Sequence, residues 1–76
     1  MVLEKVIEML ARQFSVDESE ISATTHLVND LGADSLDLVE LVMLLEDEYG
    51  IAITDEASYS LETVNDVAEF ISSHIK

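Results

Sequence analysis

The sequence contains no cysteine and no proline, only two glycines, and few aromatic or basic residues. Without cysteine, the chain has neither a disulfide nor a zinc–thiolate site to support a small fold. Aromatic residues make up 5% of the chain while hydrophobic residues reach 49%, so the core must be built from leucine, valine and isoleucine. These absences exclude a disulfide framework and a cysteine-based metal domain.

Basic residues are also scarce. The 76 residues include 3 Lys and Arg against 17 Asp and Glu, which gives a net charge of −14. A chain of this length forms one domain at most and is too short for a dinucleotide-binding or barrel enzyme. Because so acidic a surface repels phosphates, we expect no binding to nucleic acid, and we expect attraction to basic partners.

No targeting segment is visible at the amino end. Charged residues interrupt residues 1–8 every few positions, so there is no apolar stretch of the kind found in signal peptides. No apolar run approaches the roughly 20 residues of a membrane span. We therefore expect a soluble, cytoplasmic protein that does not insert into membranes.

Three segments carry apolar residues at helical spacing. The first covers residues 2–14. The second runs from residue 35 to about residue 49, with Asp34 as an acidic N-cap and Gly50 as a left-handed C-cap. The third begins after Thr63, which together with Asp66 has the spacing of a capping box. The apolar stripes of the first and last helices are Leu3, Val6, Ile7, Leu10, Phe14 and Val64, Val67, Ala68, Ile71, Ile75.

The segments between these helices are less regular. Residues 15–34 read as a long loop with one helical turn around residues 17–21, and residues 51–60 read as a connection with a helical turn from Thr54. The loop has four apolar residues that we expect to pin it to the core: Ile21, Leu27, Val28 and Leu31. The sequence therefore predicts an all-α fold, a small four-helix bundle with three main helices, one short helix and a long first loop.

The second predicted helix has two different apolar sides. One side is a core stripe of Leu38, Leu41, Val42, Leu45 and Tyr49. The neighbouring side has Leu36, Val39 and Met43, flanked by Glu40, Glu46 and Asp47. Val39 and Met43 either form a docking surface with these acids or pack against the long loop, and the pattern leaves both interpretations open.

Ser35 stands at the start of this helix, where three roles are open: a nucleophile, an ordinary helix-start residue or a modified residue. Its surroundings lack the G-x-S-x-G pattern of a nucleophile elbow, and the sequence places neither His26 nor His74 as its base. The positive end of a helix favours an attached phosphate, although Asp34 and Asp37 oppose that charge locally.

The run from Asp30 to Met43, DLGADSLDLVELVM, closely resembles the modification site of acyl carrier proteins. Its Asp34-Ser35-Leu36 triplet is similar to the family's phosphopantetheine attachment triplet. The likeness extends over nearly the whole chain, including the first helix, the long loop and the run at 51–56. Leu38, Thr54 and the uncharged segment 57–60 depart from the family's usual residues and put the short third helix in doubt.

The resemblance implies a carrier and not an enzyme. Ser35, flanked by Asp34 and Leu36, would receive 4′-phosphopantetheine from coenzyme A through a separate, Mg²⁺-dependent transferase, and the arm's thiol would hold acyl chains as thioesters. Fatty acid synthesis enzymes would meet the chain through basic patches. The resemblance assigns that contact to Glu40, Met43, Glu46 and Asp47, and the pattern of the helix adds Asp37 and Val39 to the expected partner-binding residues.

The resemblance also sets expectations for organisation and cargo. We expect one acyl-carrier domain over residues 1–76, a monomer without a metal site, and, from its start at Met, a dissociated bacterial-type system. Two alternatives remain open. One is a specialised carrier for polyketide, D-alanyl or other lipid pathways, and the other is an unmodified acidic interaction protein.

The concentration of negative charge generates a first prediction. Mutual repulsion among the carboxylates destabilises the compact state, and dissolved ions screen it. We expect the melting temperature to rise when NaCl is increased from 10 to about 150 mM, where the Debye length falls to about 8 Å. Thermal unfolding followed by circular dichroism checks this, and a flat or falling melting temperature would contradict it.

Overall fold

Four α-helices and one short 3₁₀ helix make up the secondary structure in the computed structural model, which describes residues 2–75. This confirms the predicted all-α architecture with three long helices and one short one. Within that range the extended pairing is limited to one isolated antiparallel bridge between His26 and Thr63. The elements are α1 (Val2–Phe14), the 3₁₀ helix (Glu18–Glu20), α2 (Ser35–Tyr49), α3 (Asp55–Tyr59) and α4 (Val64–His74).

The ends of α2 lie where the capping residues predicted them. Asp34 Oδ1 accepts a hydrogen bond from the Asp37 amide at 2.9 Å, and Asp37 Oδ2 accepts one from the Asp34 amide at 3.1 Å. At the other end Gly50 has a φ of +63°, a conformation that costs a residue with a side chain more than it costs glycine. Its amide donates to the Glu46 carbonyl at 2.8 Å and closes the last turn.

Aliphatic side chains form the core, as the composition predicted. Helix α1 packs most closely against α4, and α2 adds Leu41 and Leu45 to the same cluster. Burying one such side chain contributes about 1.5–3 kcal/mol to stability. Among the described residues no aromatic ring is fully buried, and the largest fully buried side chains are Leu10, Leu27, Leu45, Ile71, Val6, Val64 and Val67.

The long loop between α1 and α2 is anchored to the segment that precedes α4. The Leu27 amide donates to the Glu62 carbonyl at 2.9 Å, and the Val64 amide donates to the Thr25 carbonyl at 3.0 Å. A third bond, from the Asn65 amide to the Ala23 carbonyl, measures 2.8 Å. These bonds satisfy backbone groups that would otherwise be left without partners as the loop packs against the core.

Three of the four loop residues expected to face the core do so. Ile21 and Leu27 are buried and Leu31 is half-buried against the cluster. The expectation for Val28 is wrong, because its side chain is 48% exposed. The Val28 carbonyl accepts the Gly32 amide in a tight turn that begins just after Leu27, so the turn directs the two neighbouring side chains differently.

The two histidines have local roles. His26 is half-buried in the long loop, where its Nδ1 accepts a hydrogen bond from the Asn29 amide at 3.2 Å. His74 stacks on Phe70 at the end of α4, with ring centroids 4.2 Å apart. Across residues 2–75, none of the helices has the length and apolar character needed to cross a membrane.

The cap of α4 generates a pH prediction. Asp66 Oδ2 accepts hydrogen bonds from the Thr63 amide at 3.0 Å and the Glu62 amide at 3.1 Å. Both bonds lower the pKa of Asp66 below its ordinary value of 3.8, and the bond from the Thr63 amide has the larger effect. A carboxylate with a lowered pKa stabilises the fold above the pKa of the unfolded chain, and that stability is lost as the pH falls through the folded-state pKa.

We therefore expect Asp66→Ala to lower the melting temperature by about 5 °C at pH 7 and by clearly less at pH 3. Glu69→Ala is the matched control, because it removes one exposed carboxylate from the same helix. Thermal unfolding of the three proteins at both pH values measures the differences. A deficit for Asp66→Ala that is equally large at pH 3 would contradict the assignment.

Candidate functional site

Ser35 is the first residue of α2, and its side chain is exposed. Asp34, and not Ser35, caps the helix, so the serine hydroxyl is not used in forming the helix start. Within residues 2–75 the Ser35 Oγ makes no hydrogen bond. The arrangement presents a free hydroxyl group on a rigid helical turn.

The chain on both sides of Ser35 is held in place. Ala33 is buried and its amide donates to the Leu27 carbonyl at 3.0 Å. In the first turn of α2, the Asp37 carbonyl accepts a hydrogen bond from Gln13 Nε2 at 2.9 Å. Gln13 lies near the end of α1, so this bond ties two helices together. The position of Ser35 is therefore fixed by contacts that come from the long loop and from α1.

A cleft of about 360 Å³ opens beside Ser35 between α2 and α3. Apolar side chains dominate its α2 side, and the buried Ile53 contributes from the connection that leads to α3. Its lining includes Ser35, Leu38, Val42, Ile53, Ser58 and Tyr59. The serine hydroxyl and an apolar space are thus side by side on the same face of the molecule.

The outward face of α2 combines exposed apolar and acidic side chains. Leu36, Val39 and Met43 are 71%, 55% and 62% exposed. Of the two interpretations that the sequence left open, packing of Val39 and Met43 against the long loop is wrong, because neither side chain is buried. A shallow groove of about 640 Å³ continues along this face and is lined by Glu40, Met43, Leu44, Glu46 and Asp47.

The carboxylates of this face lack cationic partners in the described part of the chain. The ion pairs there join Lys5 to Glu8 at 3.9 Å and to Glu48 at 3.7 Å, and Arg12 to Glu8 at 2.7 Å. Glu40 and Asp47 are exposed and belong to none of these pairs. Their charge is therefore available to a partner.

Comparison with known proteins agrees with this arrangement. The family described as "phosphopantetheine attachment site" matches residues 4–71. An acyl carrier protein of Clostridium acetobutylicum is 45% identical over 74 residues, which cover 97% of this chain and 96% of that protein. The chain belongs to the acyl carrier protein family.

Solved structures of this family share the fold. A Mycobacterium tuberculosis protein that has been assigned as an acyl carrier protein matches with a TM-score of 0.91 and 35% identity over 99% of this chain and 100% of that one. The acyl carrier protein of Enterococcus faecalis, studied for its thermal stability, matches with a TM-score of 0.81 and 35% identity. That match covers 95% of this chain and 91% of the other.

Members of the acyl carrier protein family carry acyl chains on phosphopantetheine, and the residues of this site fit that group. Covalent attachment needs an accessible hydroxyl, and Ser35 supplies one that is exposed and has no hydrogen-bond partner among residues 2–75. A flexible arm also needs open space around its anchor, which the cleft and the exposed face of α2 supply. Within residues 2–75 no cluster of three or more His, Cys, Asp or Glu side chains is arranged to hold a metal ion.

Most of the site residues that the sequence singled out lie together at the start of α2 and along its exposed face. The structure places Asp34, Ser35, Leu36 and Asp37 in or next to the first turn of α2, and it places Val39, Glu40, Met43 and Asp47 on the exposed face. Glu46 differs from these because it is half-buried, and its Oε2 accepts a hydrogen bond from the Ile53 amide at 2.8 Å.

Sequence reasoning missed several residues that line the cleft or the groove, among them Leu44, Ile53 and Tyr59. Leu44 follows Met43 directly in sequence but does not belong to the apolar side formed by Leu36, Val39 and Met43. The sequence did offer a reason to single out Tyr59. It is one of four aromatic residues in the chain and lies in a segment without lysine or arginine. Its ring is 82% exposed on the α3 side of the cleft.

Proposed function

We propose that this protein carries growing acyl chains as thioesters on a 4′-phosphopantetheine arm attached to Ser35 and delivers them to enzymes of fatty acid synthesis. The observation that carries the proposal is the exposed, unpartnered Ser35 hydroxyl at the start of α2 beside an apolar cleft. The arm, when attached, supplies the thiol that the chain itself lacks. Asp34 and Leu36 flank the attachment point and would meet the enzyme that installs the arm.

The surroundings of Ser35 support a substrate role and not a catalytic one. A serine nucleophile needs a base within hydrogen-bond reach, and within residues 2–75 the Ser35 Oγ has no such partner. The base that removes its proton must then come from another protein, which we propose to be a Mg²⁺-dependent phosphopantetheinyl transferase using coenzyme A. The chain's own residues contribute a rigid first turn and an accessible oxygen.

The exposed face of α2 supports the proposed recognition by enzymes with basic patches. Leu36, Val39 and Met43 offer apolar contact at the centre, and Glu40 and Asp47 offer unpaired negative charge beside them. Apolar contact contributes affinity, and charge raises the association rate and sets orientation. Asp37 stands at one end of this face, although its carboxylate also caps α2.

The rest of the functional assignment stays a prediction. We propose that residues 1–76 act as one carrier domain, as a monomer and in the cytoplasm. A specialised carrier for polyketide, D-alanyl or other lipid pathways is the second candidate, because the uncharged segment 57–60 brings the exposed Tyr59 to the cleft. Charging with a malonyl transferase separates the two, since refusal of malonate with acceptance of another acyl group would favour the specialised carrier.

The central prediction concerns modification of Ser35. Incubation with coenzyme A, Mg²⁺ and a promiscuous phosphopantetheinyl transferase should add the mass of one phosphopantetheine to the wild-type chain and none to Ser35→Ala. Because Asp34 forms the cap of α2, we expect Ser35→Ala to keep its circular dichroism spectrum and to change the free energy of unfolding by less than about 0.5 kcal/mol. Intact-mass spectrometry measures the modification.

A second carrier of proven activity serves as the positive control for the transferase. No mass gain in the wild-type chain under those conditions would overturn the proposal and favour an unmodified acidic interaction protein. A gain in both proteins would place the arm on another residue.

A second prediction concerns Glu40. Glu40→Lys should slow association with the transferase several-fold at low salt and should make the association less dependent on salt, because it reverses a charge on the docking face. Glu69→Lys makes the same change of charge on α4 and should have a smaller effect. Stopped-flow association rates at 20 and 150 mM NaCl measure both, and equal effects of the two variants would remove Glu40 from the interface.

A further inference from the structure

Glu46 stands apart from the other acids on the outward side of α2. It borders both the groove along the exposed face and the cleft beside Ser35. Glu40 and Asp47 are exposed, whereas Glu46 is half-buried. Its carboxylate is also engaged within the chain, since Oε2 accepts a hydrogen bond from the Ile53 amide at 2.8 Å.

The bond to Ile53 spans the connection between α2 and α3. Gly50 ends α2 with its left-handed turn, and α3 begins only at Asp55. In the described part of the chain, the hydrogen bond that joins residues 51–54 back to α2 is the one between Glu46 and Ile53. The position of this connection therefore depends on one carboxylate and on apolar packing.

Ile53 links this bond to the cleft. Its side chain is buried in the core cluster and also lines the cleft beside Ser35. If Glu46 released the Ile53 amide, that N–H would lose its acceptor in a partly buried position, which favours displacement of the connection toward water. Movement of Ile53 would change the wall of the cleft.

We propose that Glu46 is a positioning residue that ties the α2–α3 connection to α2 and thereby holds the Ile53 wall of the cleft. Basic partners accordingly meet Glu40 and Asp47, and Glu46 contributes little to their binding. This reassigns a residue that the resemblance placed among the partner contacts. The small contribution of Glu46 to partner binding rests on the proposed carrier function, whereas its role in holding Ile53 does not.

Three variants separate the hydrogen bond from the charge. Glu46→Ala removes both, Glu46→Gln removes the charge and keeps an oxygen that can accept from the Ile53 amide, and Asp47→Ala removes a neighbouring exposed charge. Amide hydrogen exchange of the unmodified chain, resolved by NMR, reports on Ile53 directly and needs neither the arm nor a partner. Exchange at Leu45 and Val67 in the core controls for global unfolding.

We expect Glu46→Ala to speed exchange of the Ile53 amide by about tenfold or more, because a hydrogen bond to a charged acceptor is lost. Glu46→Gln should speed it much less, and Asp47→Ala should leave it within about twofold of wild type. Unchanged Ile53 exchange in Glu46→Ala would overturn the proposal, as would equal acceleration at Leu45 and Val67.

Association with the phosphopantetheinyl transferase tests whether Glu46 contributes to the binding of partners. Glu46→Gln should associate at low salt within about twofold of wild type, while Glu40→Gln should slow association several-fold. Equal slowing by the two variants would make Glu46 a partner contact and would overturn the proposal that Glu46 contributes little to partner binding. Failure of the carrier function itself would show as no modification of wild type, with the Ile53 exchange result unaffected.

Discussion

The arrangement of the site depends on how the long loop satisfies its backbone hydrogen bonds. About twenty residues between α1 and α2 pack over the core without a regular helix or strand, apart from one 3₁₀ turn. Their amides and carbonyls pair with the segment before α4, through Leu27 with Glu62, Thr25 with Val64, and Ala23 with Asn65. Because buried backbone groups without partners are costly, this pairing fixes the path of the loop and with it the position at which α2 begins.

Helix α2 contributes to three surfaces. At about 100° per residue, α2 turns Leu41 and Leu45 into the core, Leu38 and Val42 toward the cleft, and Met43 toward the outside. Ser35 lies at the end of the helix where these surfaces meet. The proposed anchor point of the arm, the apolar space beside it and the proposed partner surface therefore all adjoin one rigid element.

The distribution of charge reflects a conflict between stability and recognition. Lys5 and Arg12 are both on α1, where they pair with Glu8 and Glu48. No lysine or arginine occurs between residues 13 and 75, and Glu40 and Asp47 of α2 belong to none of these pairs, so their carboxylates keep their mutual repulsion. Such repulsion weakens the compact state, yet the same field draws basic partners toward the exposed face.

The sequence by itself determined the ends of the helices and pointed to Ser35 as the proposed attachment point. Asp34 with Asp37, Thr63 with Asp66, and Gly50 mark helix ends through local hydrogen bonds and backbone angles, which depend on residues only a few positions apart. Ser35 was singled out through the resemblance of the run around it, Asp30 to Met43, and this was possible because the residues that mark it are its neighbours in sequence.

Tertiary structure alone decided the exposure of Val28, Val39 and Met43, the contribution of Tyr59 to the cleft, and the engagement of Glu46 with Ile53. Helical spacing shows that residues share a side of a helix, but it does not show what stands opposite that side. The opposite surface is supplied by the loop and by α3, whose paths depend on contacts between residues distant in sequence. Those contacts form only when the whole chain packs.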